Sequence, residues 1–66
     1  MYALYNVKSK KFYARENEYR NCVEVDKFID AKNFKDIKDA YYLENIIKED
    51  YIIIDHVQAE LMGILM

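Results

Sequence analysis

The sequence predicts an α+β domain in which a small antiparallel sheet packs on one main helix. Two alternating segments near the N-terminus, residues 2–7 and 11–15, predict a β-hairpin. The β-branched and aromatic run that opens residues 51–57 favours a C-terminal strand of the same sheet. Between them, residues 37–49 repeat apolar side chains at the spacing of an amphipathic helix.

The length of 66 residues corresponds to one domain, residues 1–66. A domain this small has marginal stability, because it buries only about 60% of its unfolded surface. The lone cysteine, Cys22, excludes an intrachain disulfide, and with the lone histidine, His56, it is too little for a closed zinc site. Seven tyrosines and three phenylalanines therefore indicate stabilisation by aromatic packing or by another chain.

Strict alternation along the return strand of the hairpin would divide its side chains between two faces. Phe12 and Ala14 would share one face, and Lys11, Tyr13 and Arg15 the opposite, more polar one. The connecting turn contains no glycine, so its type stays open.

The middle of the chain is less uniform. A polar loop at residues 16–21 leads to a short third strand at residues 22–25. Residues 26–33 could form one helical turn capped by Asp26, or an irregular segment. Asp36 is expected to cap the main helix, because its carboxylate can accept hydrogen bonds from the first-turn amides.

The main helix carries more apolar surface than one sheet face needs. Leu43 and Ile47 continue the stripe that begins at Ala40, while Tyr42 and Ile46 fall on the far side of the helix.

The C-terminal residues are strongly apolar, and the last strand could continue through residue 61. A terminus with so many large apolar side chains must pack on its own core or on another chain. We predict that these residues form a homodimer interface: Leu61, Met62, Ile64, Leu65 and Met66.

No stretch of the sequence specifies a reaction. His56 would need a nucleophile in reach, and its neighbour Asp55 would point to the opposite face of a strand. Cys22 is expected to be a small buried side chain. A single glycine, Gly63, excludes a glycine-rich phosphate loop, and the aspartate spacing does not match a calcium loop. We therefore expect no catalytic residue, no metal site and no cofactor.

Charge is divided unevenly along the chain, which suggests two binding surfaces. The first 20 residues hold five cations against two carboxylates, and the rest holds five lysines against ten carboxylates. A basic hairpin surface could bind nucleic acid, although lysines there could equally protect a sheet edge. An acidic helix surface could dock on the basic groove of a nucleic-acid-handling protein, although it could equally be solvated. The residues of the two surfaces are Lys8, Lys10, Lys11, Tyr13 and Arg15 for the hairpin, and Asp36, Asp39 and Glu44 for the helix.

The sequence lacks the patterns of secretion and membrane insertion. No apolar run approaches the ~20 residues of a membrane span, and lysines follow the first apolar residues instead of preceding them. A lone thiol suits a reducing compartment. We expect a cytoplasmic protein of a bacterial host cell, without membrane contact.

Several short motifs follow one another in a recognisable order. They are the tyrosine-rich first strand with Asn6, the return Lys11-Phe12-Tyr13, the segment Ala31-Lys32-Asn33-Phe34, the helix start from Asp36 to Ala40, and the last strand. This order resembles very small proteins of phages and other mobile elements in low-GC bacteria. The resemblance implies a compact α+β fold and a mobile-element origin.

Several small proteins of such origin, including anti-CRISPR proteins, inhibit host defence by binding a defence protein. The resemblance therefore implies a non-enzymatic inhibitor whose partner is a CRISPR effector or another nucleic-acid-handling protein. A nucleic-acid-binding accessory protein and a structural homo-oligomer are the alternatives.

Overall fold

The computed structural model describes residues 1–47 and 50–63, which form a four-stranded antiparallel sheet, one main helix and two short helical segments. The elements are β1 (Tyr2–Asn6), β2 (Lys11–Glu16), β3 (Cys22–Val25), the 3₁₀ turn η1 (Phe28–Asp30), α1 (Ile37–Ile47), β4 (Tyr51–Asp55) and α2 (His56–Leu61). The strand order is β3-β2-β1-β4, so β1 is central and β3 and β4 are the edges. The predicted α+β fold, with the hairpin, the third strand and the C-terminal strand in one sheet, is confirmed.

Both faces of the sheet carry an apolar cluster. Helix α1 covers one face, where the buried residues are Leu4, Tyr13, Phe34, Ala40 and Tyr51. Segments η1 and α2 cover the other, where the buried residues are Ala3, Tyr5, Phe12, Phe28, Ile54 and Ala59. Each helix thus meets the sheet through a fully buried alanine, whose small side chain allows close approach. The sheet is covered on two sides, where the sequence suggested one.

The C-terminal strand ends earlier than predicted, and a helix follows it. The prediction of a strand through residue 57 or 61 is wrong, because Asp55 caps α2. Its side chain accepts a 2.8 Å hydrogen bond from the Gln58 amide, and the Gln58 side chain accepts a 3.2 Å bond from the Asp55 amide. This reciprocal capping box pairs two amides that a helix start would leave without partners.

Asparagine side chains build both turns of the three-stranded meander. Asn6 Oδ1 accepts 2.9 Å hydrogen bonds from two turn amides, and Lys10 closes the turn with a φ of 61°. The β2–β3 loop repeats the construction, with Asn17 accepting two amides and Arg20 at a φ of 63°. In each turn, an asparagine side chain and a basic residue with a left-handed backbone conformation therefore take the place of a glycine.

A β-bulge in β2 breaks the alternation of its side chains. Tyr13 is paired with Glu24, but Arg15 is paired with Val23, the residue next to Glu24. Because neighbouring residues of β3 point to opposite faces, Tyr13 and Arg15 also lie on opposite faces. Lys11 and Tyr13 share a face as predicted, but the prediction that Arg15 lies on it with them is wrong.

The main helix begins as predicted. Asp36 Oδ1 accepts a 2.9 Å hydrogen bond from the amide of Lys38, the second helical residue. Residues 48 and 49, the predicted end of the helix, lie outside the described residues. The ambiguous segment before α1 forms one 3₁₀ turn that buries Phe28, and Asp26 does not cap it, because Lys27 occupies the cap position without a side-chain bond.

Candidate interaction surfaces

The hairpin lysines are exposed, but two of them are paired with carboxylates. Lys8 Nζ lies 3.3 Å from Asp50 Oδ2, and Lys11 Nζ lies 3.9 Å from Asp26 Oδ1. Exposed ion pairs stabilise a fold little, but they reduce the local positive charge. Lys10 is exposed at the turn.

Arg15 does not join the hairpin lysines. The bulge turns its exposed side chain to the face of the sheet opposite that of Lys11. The cations predicted to form one basic surface are thus divided between two faces.

The aromatic residues of the hairpin lie in the core. Tyr13, predicted as a partner-binding residue, is 6% exposed and packs edge-on against Tyr51, with ring centroids 6.1 Å apart. Burial raises the pKa of the Tyr13 phenol. Tyr5 and Phe12 are buried on the opposite face. None of these three rings is available to stack on a base, and Tyr13 is buried where the prediction placed it on the binding surface.

Helix α1 presents large apolar side chains to solvent, as the sequence indicates. Tyr42 is 71% and Ile46 54% exposed, and their i, i+4 spacing places them one above the other. A second exposed pair with the same spacing, Ile37 and Tyr41, lies on the other flank of the helix. The two pairs together contain the large apolar side chains that α1 exposes to solvent.

The predicted acidic residues lie around these pairs. Asp36 is exposed, and its side chain is engaged in the helix cap. Asp39 is exposed and precedes Tyr42 by three residues, on the same side of the helix. Glu44 is partly buried and lies toward the sheet. Of the three carboxylates, Asp39 is therefore the one best placed beside the exposed Tyr42–Ile46 pair.

Tyr51 and Glu24 form a contact that the sequence did not reveal. The Tyr51 hydroxyl donates a 2.6 Å hydrogen bond to Glu24 Oε2. Burial, and then this bond, raise the pKa of Tyr51 far above that of an exposed tyrosine, and the neighbouring Cys22 contributes to the shift. A phenol kept protonated in this way is a structural donor and no acid or base near neutral pH.

The lone histidine lies at the first position of α2. His56 is exposed, and its ring and that of Phe28 form a T-shaped pair with a centroid distance of 5.9 Å. Its neighbour Asp55 is engaged in the capping box. Within residues 1–47 and 50–63, no group of three or more His, Cys, Asp or Glu side chains is placed to hold a metal ion.

The predicted dimer interface is described only in part. Leu61 is 82% and Met62 48% exposed, while Ile64, Leu65 and Met66 lie outside the described residues. Val57 is 60% exposed and precedes Leu61 by one helical turn, so α2 also has an apolar outer side.

No protein-family model, curated protein or solved structure matches this chain. Within the described part of the chain, no helix is long and apolar enough to cross a membrane. A function is therefore inferred from the exposed side chains of α1 and the hairpin and from the edges of the sheet.

Proposed function

We propose that the protein acts without catalysis, by binding another protein through the exposed side of α1. The observation that carries this proposal is the Tyr42–Ile46 pair, which is well exposed although both side chains are large and apolar. Tyrosine supplies rigid contact area at low entropic cost and is enriched in protein interfaces. Asp39 on the same side of the helix adds a charge that can orient the partner.

The Asp39 carboxylate beside the pair, together with the net charge of −2 of the chain, favours a partner with a basic groove. Proteins that handle DNA or RNA expose such grooves to bind phosphates. A small acidic protein docked there would exclude the nucleic acid by occupying the same charges.

The resemblance to small phage and mobile-element proteins supports the same direction. It suggests a phage-encoded, anti-CRISPR-like inhibitor that acts in the cytoplasm of a bacterial host, on a CRISPR effector or another nucleic-acid-handling protein.

Direct nucleic-acid binding by the hairpin has less support. The ion pairs of Lys8 and Lys11, the divergent Arg15 and the burial of Tyr13 remove the continuous basic and aromatic surface that such binding requires.

The test is capture of partners from nuclease-treated host lysate by two matched double variants. Tyr42→Ala with Ile46→Ala removes the proposed surface. Tyr19→Ala with Ile29→Ala removes the same residue types, 76% and 73% exposed, from other parts of the chain. We expect the first variant to lose a partner that the wild type and the second variant retain.

The captured protein then decides the mechanism. We expect its DNA or RNA binding to fall when the wild-type chain is added, and to be unchanged by the Tyr42 and Ile46 variant. Capture that occurs only in lysate left without nuclease, and that Lys10→Glu abolishes, would instead establish the hairpin as a nucleic-acid-binding site and refute the proposal.

A further inference from the structure

The outer edge of β4 has backbone groups that point away from the sheet. The amide of Val7 donates a 3.0 Å hydrogen bond to the carbonyl of Asp50, so Asp50 faces β1. Because hydrogen-bonding direction alternates along a strand, Ile52 and Ile54 also face β1, and Tyr51 and Ile53 face outward. The Asp55 amide, which also faces outward, is bonded to the Gln58 side chain.

The two edges of the sheet differ in how well they are protected against pairing. Strand β3 carries the charge of Glu24 and lies beside the bulge of β2, features that discourage added strands. Strand β4 is uncharged from Tyr51 to Ile54 and keeps an unbroken register with β1. No strand among the described residues pairs with its outer side.

We propose that two copies of the chain pair in antiparallel orientation through β4, so that their sheets become continuous. Among the residues of β4, Tyr51 and Ile53 are the two that offer outward backbone groups, because the helix cap uses the outward amide of Asp55. Two such residues can pair completely with a second copy in one way, with Tyr51 opposite Ile53 of the second copy and Ile53 opposite its Tyr51. This register places Ile52 opposite Ile52 and gives the twofold symmetry of a homodimer.

The side chains fit this register. An aromatic residue would face a β-branched one at both hydrogen-bonded positions, a favourable cross-strand combination. The two Ile52 side chains, each 44% exposed in the monomer, would meet at a non-hydrogen-bonded position, where side chains approach most closely. Lys8 forms an ion pair with Asp50 at the N-terminal end of β4. In the antiparallel pair, Asp55 of the second copy would lie at the same end, near this lysine.

Helix α2 extends the interface beyond the strand. It packs mainly against β4, on the face that carries Ile52, and exposes Leu61 and Met62. A stable dimer buries roughly 1,200 Å² or more in total, which is more than a short strand edge provides. The homodimer predicted from the apolar C-terminal residues would thus have the paired β4 edges at the middle of its interface. This inference is independent of the proposed partner of α1.

A disulfide at position 52 tests the register. In a Cys22→Ala background, Ile52→Cys places two thiols on residues whose Cα atoms would be about 4.5 Å apart, within the range of a disulfide. We expect rapid dimer cross-linking under mild oxidation. Ile29→Cys, at a 73% exposed position of η1, should cross-link much more slowly. Equal rates for the two variants would refute the register.

Sedimentation and hydrogen exchange test the pairing in the intact chain. We expect a wild-type dimer, loss of that dimer in Ile52→Lys with unchanged circular dichroism, and its retention in Ile52→Thr. The amides of Tyr51 and Ile53 should be protected in the dimer and exchange faster on dilution. A wild-type monomer, or a dimer that survives Ile52→Lys, would overturn the proposal.

A monomer with both amides protected would also overturn it, because the chain would then cover its own β4 edge. A wild-type chain that forms the dimer but captures no partner through Tyr42 and Ile46 would refute the proposed function alone.

Discussion

The Tyr51 hydroxyl donates a hydrogen bond to the Glu24 carboxylate across 2.6 Å, and this bond joins the two edge strands of the sheet. Helix α1 packs mainly over β1 and β4, and less over the β2–β3 half of that face. Tyr51 reaches into this half and lies edge-on against Tyr13. Side chains of the sheet thus complete the part of the core over which the helix packs less.

Removing the Tyr51 hydroxyl should destabilise the protein. We expect Tyr51→Phe to lower the free energy of unfolding by about 1–2 kcal/mol, because a hydrogen bond to a charged acceptor is lost. Urea denaturation measures the change. Tyr19→Phe, at a 76% exposed position, should stay within about 0.5 kcal/mol of wild type. Equal stability of the two variants would show that the edge-to-edge bond contributes nothing.

High pH should destabilise the fold through Tyr13 and Tyr51. Both have a pKa raised above the ordinary 10.0 in the folded state, mainly by burial. Below that pH both phenols are protonated in either state, so their contribution is fully present. Above it the unfolded chain releases protons that the folded chain retains. The free energy of unfolding should then fall by up to about 1.4 kcal/mol per pH unit for each group.

Urea denaturation at several pH values above about 9 measures this slope. Tyr51→Phe should make the slope shallower, because one of the two groups is gone. A stability that stays constant as the pH rises past 10 would contradict the assigned direction of both shifts.

The Asn6 side chain should be necessary for the hairpin turn. It is 8% exposed and accepts the amides of Lys8 and Ser9, which Asn6→Ala would leave without that acceptor. We expect a loss of about 1–3 kcal/mol in thermal or urea unfolding. Asn45→Ala replaces an exposed asparagine of α1 by a better helix former and should be neutral or slightly stabilising. A neutral Asn6→Ala would mean that solvent replaces the turn acceptor without loss.

Phe12 should be necessary for folding. It is fully buried, and its ring contacts Tyr5 at 5.0 Å and Phe28 at 5.7 Å between centroids. Phe12→Ala should cost about 3–5 kcal/mol, which is comparable to the total stability expected of so small a domain. We expect circular dichroism to show an unfolded chain, whereas Ile29→Ala should retain the wild-type spectrum. A folded Phe12→Ala would show that the second face of the sheet is dispensable.

Local patterns with strong physical signatures could be predicted from the sequence. Alternation identified the strands, and the Asp36 carboxylate identified the helix start, because both depend on residues close in the chain. The α2 start was missed although Asp55 and Gln58 have the capping-box spacing. The preceding isoleucines suggested a longer strand, and tertiary packing of Ala59 decided in favour of the helix.

The surfaces were harder to predict, because they depend on contacts between distant residues. No residue near Ala14 marks the bulge that separates Arg15 from Lys11, and the burial of Tyr13 depends on Tyr51, far along the chain. The Tyr51–Glu24 bond likewise links residues of opposite edges. A charged or aromatic residue can be assigned to a surface only when the neighbours that cover it are known.

The strand order also has a consequence for biosynthesis. Strand β1 is central, yet one of its two neighbours, β4, is the last of the four strands to be translated. While the chain is being made, the meander of β1 to β3 can form, but one side of β1 has no partner. A product truncated before residue 51 would therefore keep one side of its apolar central strand uncovered, a feature that chaperones and proteases recognise.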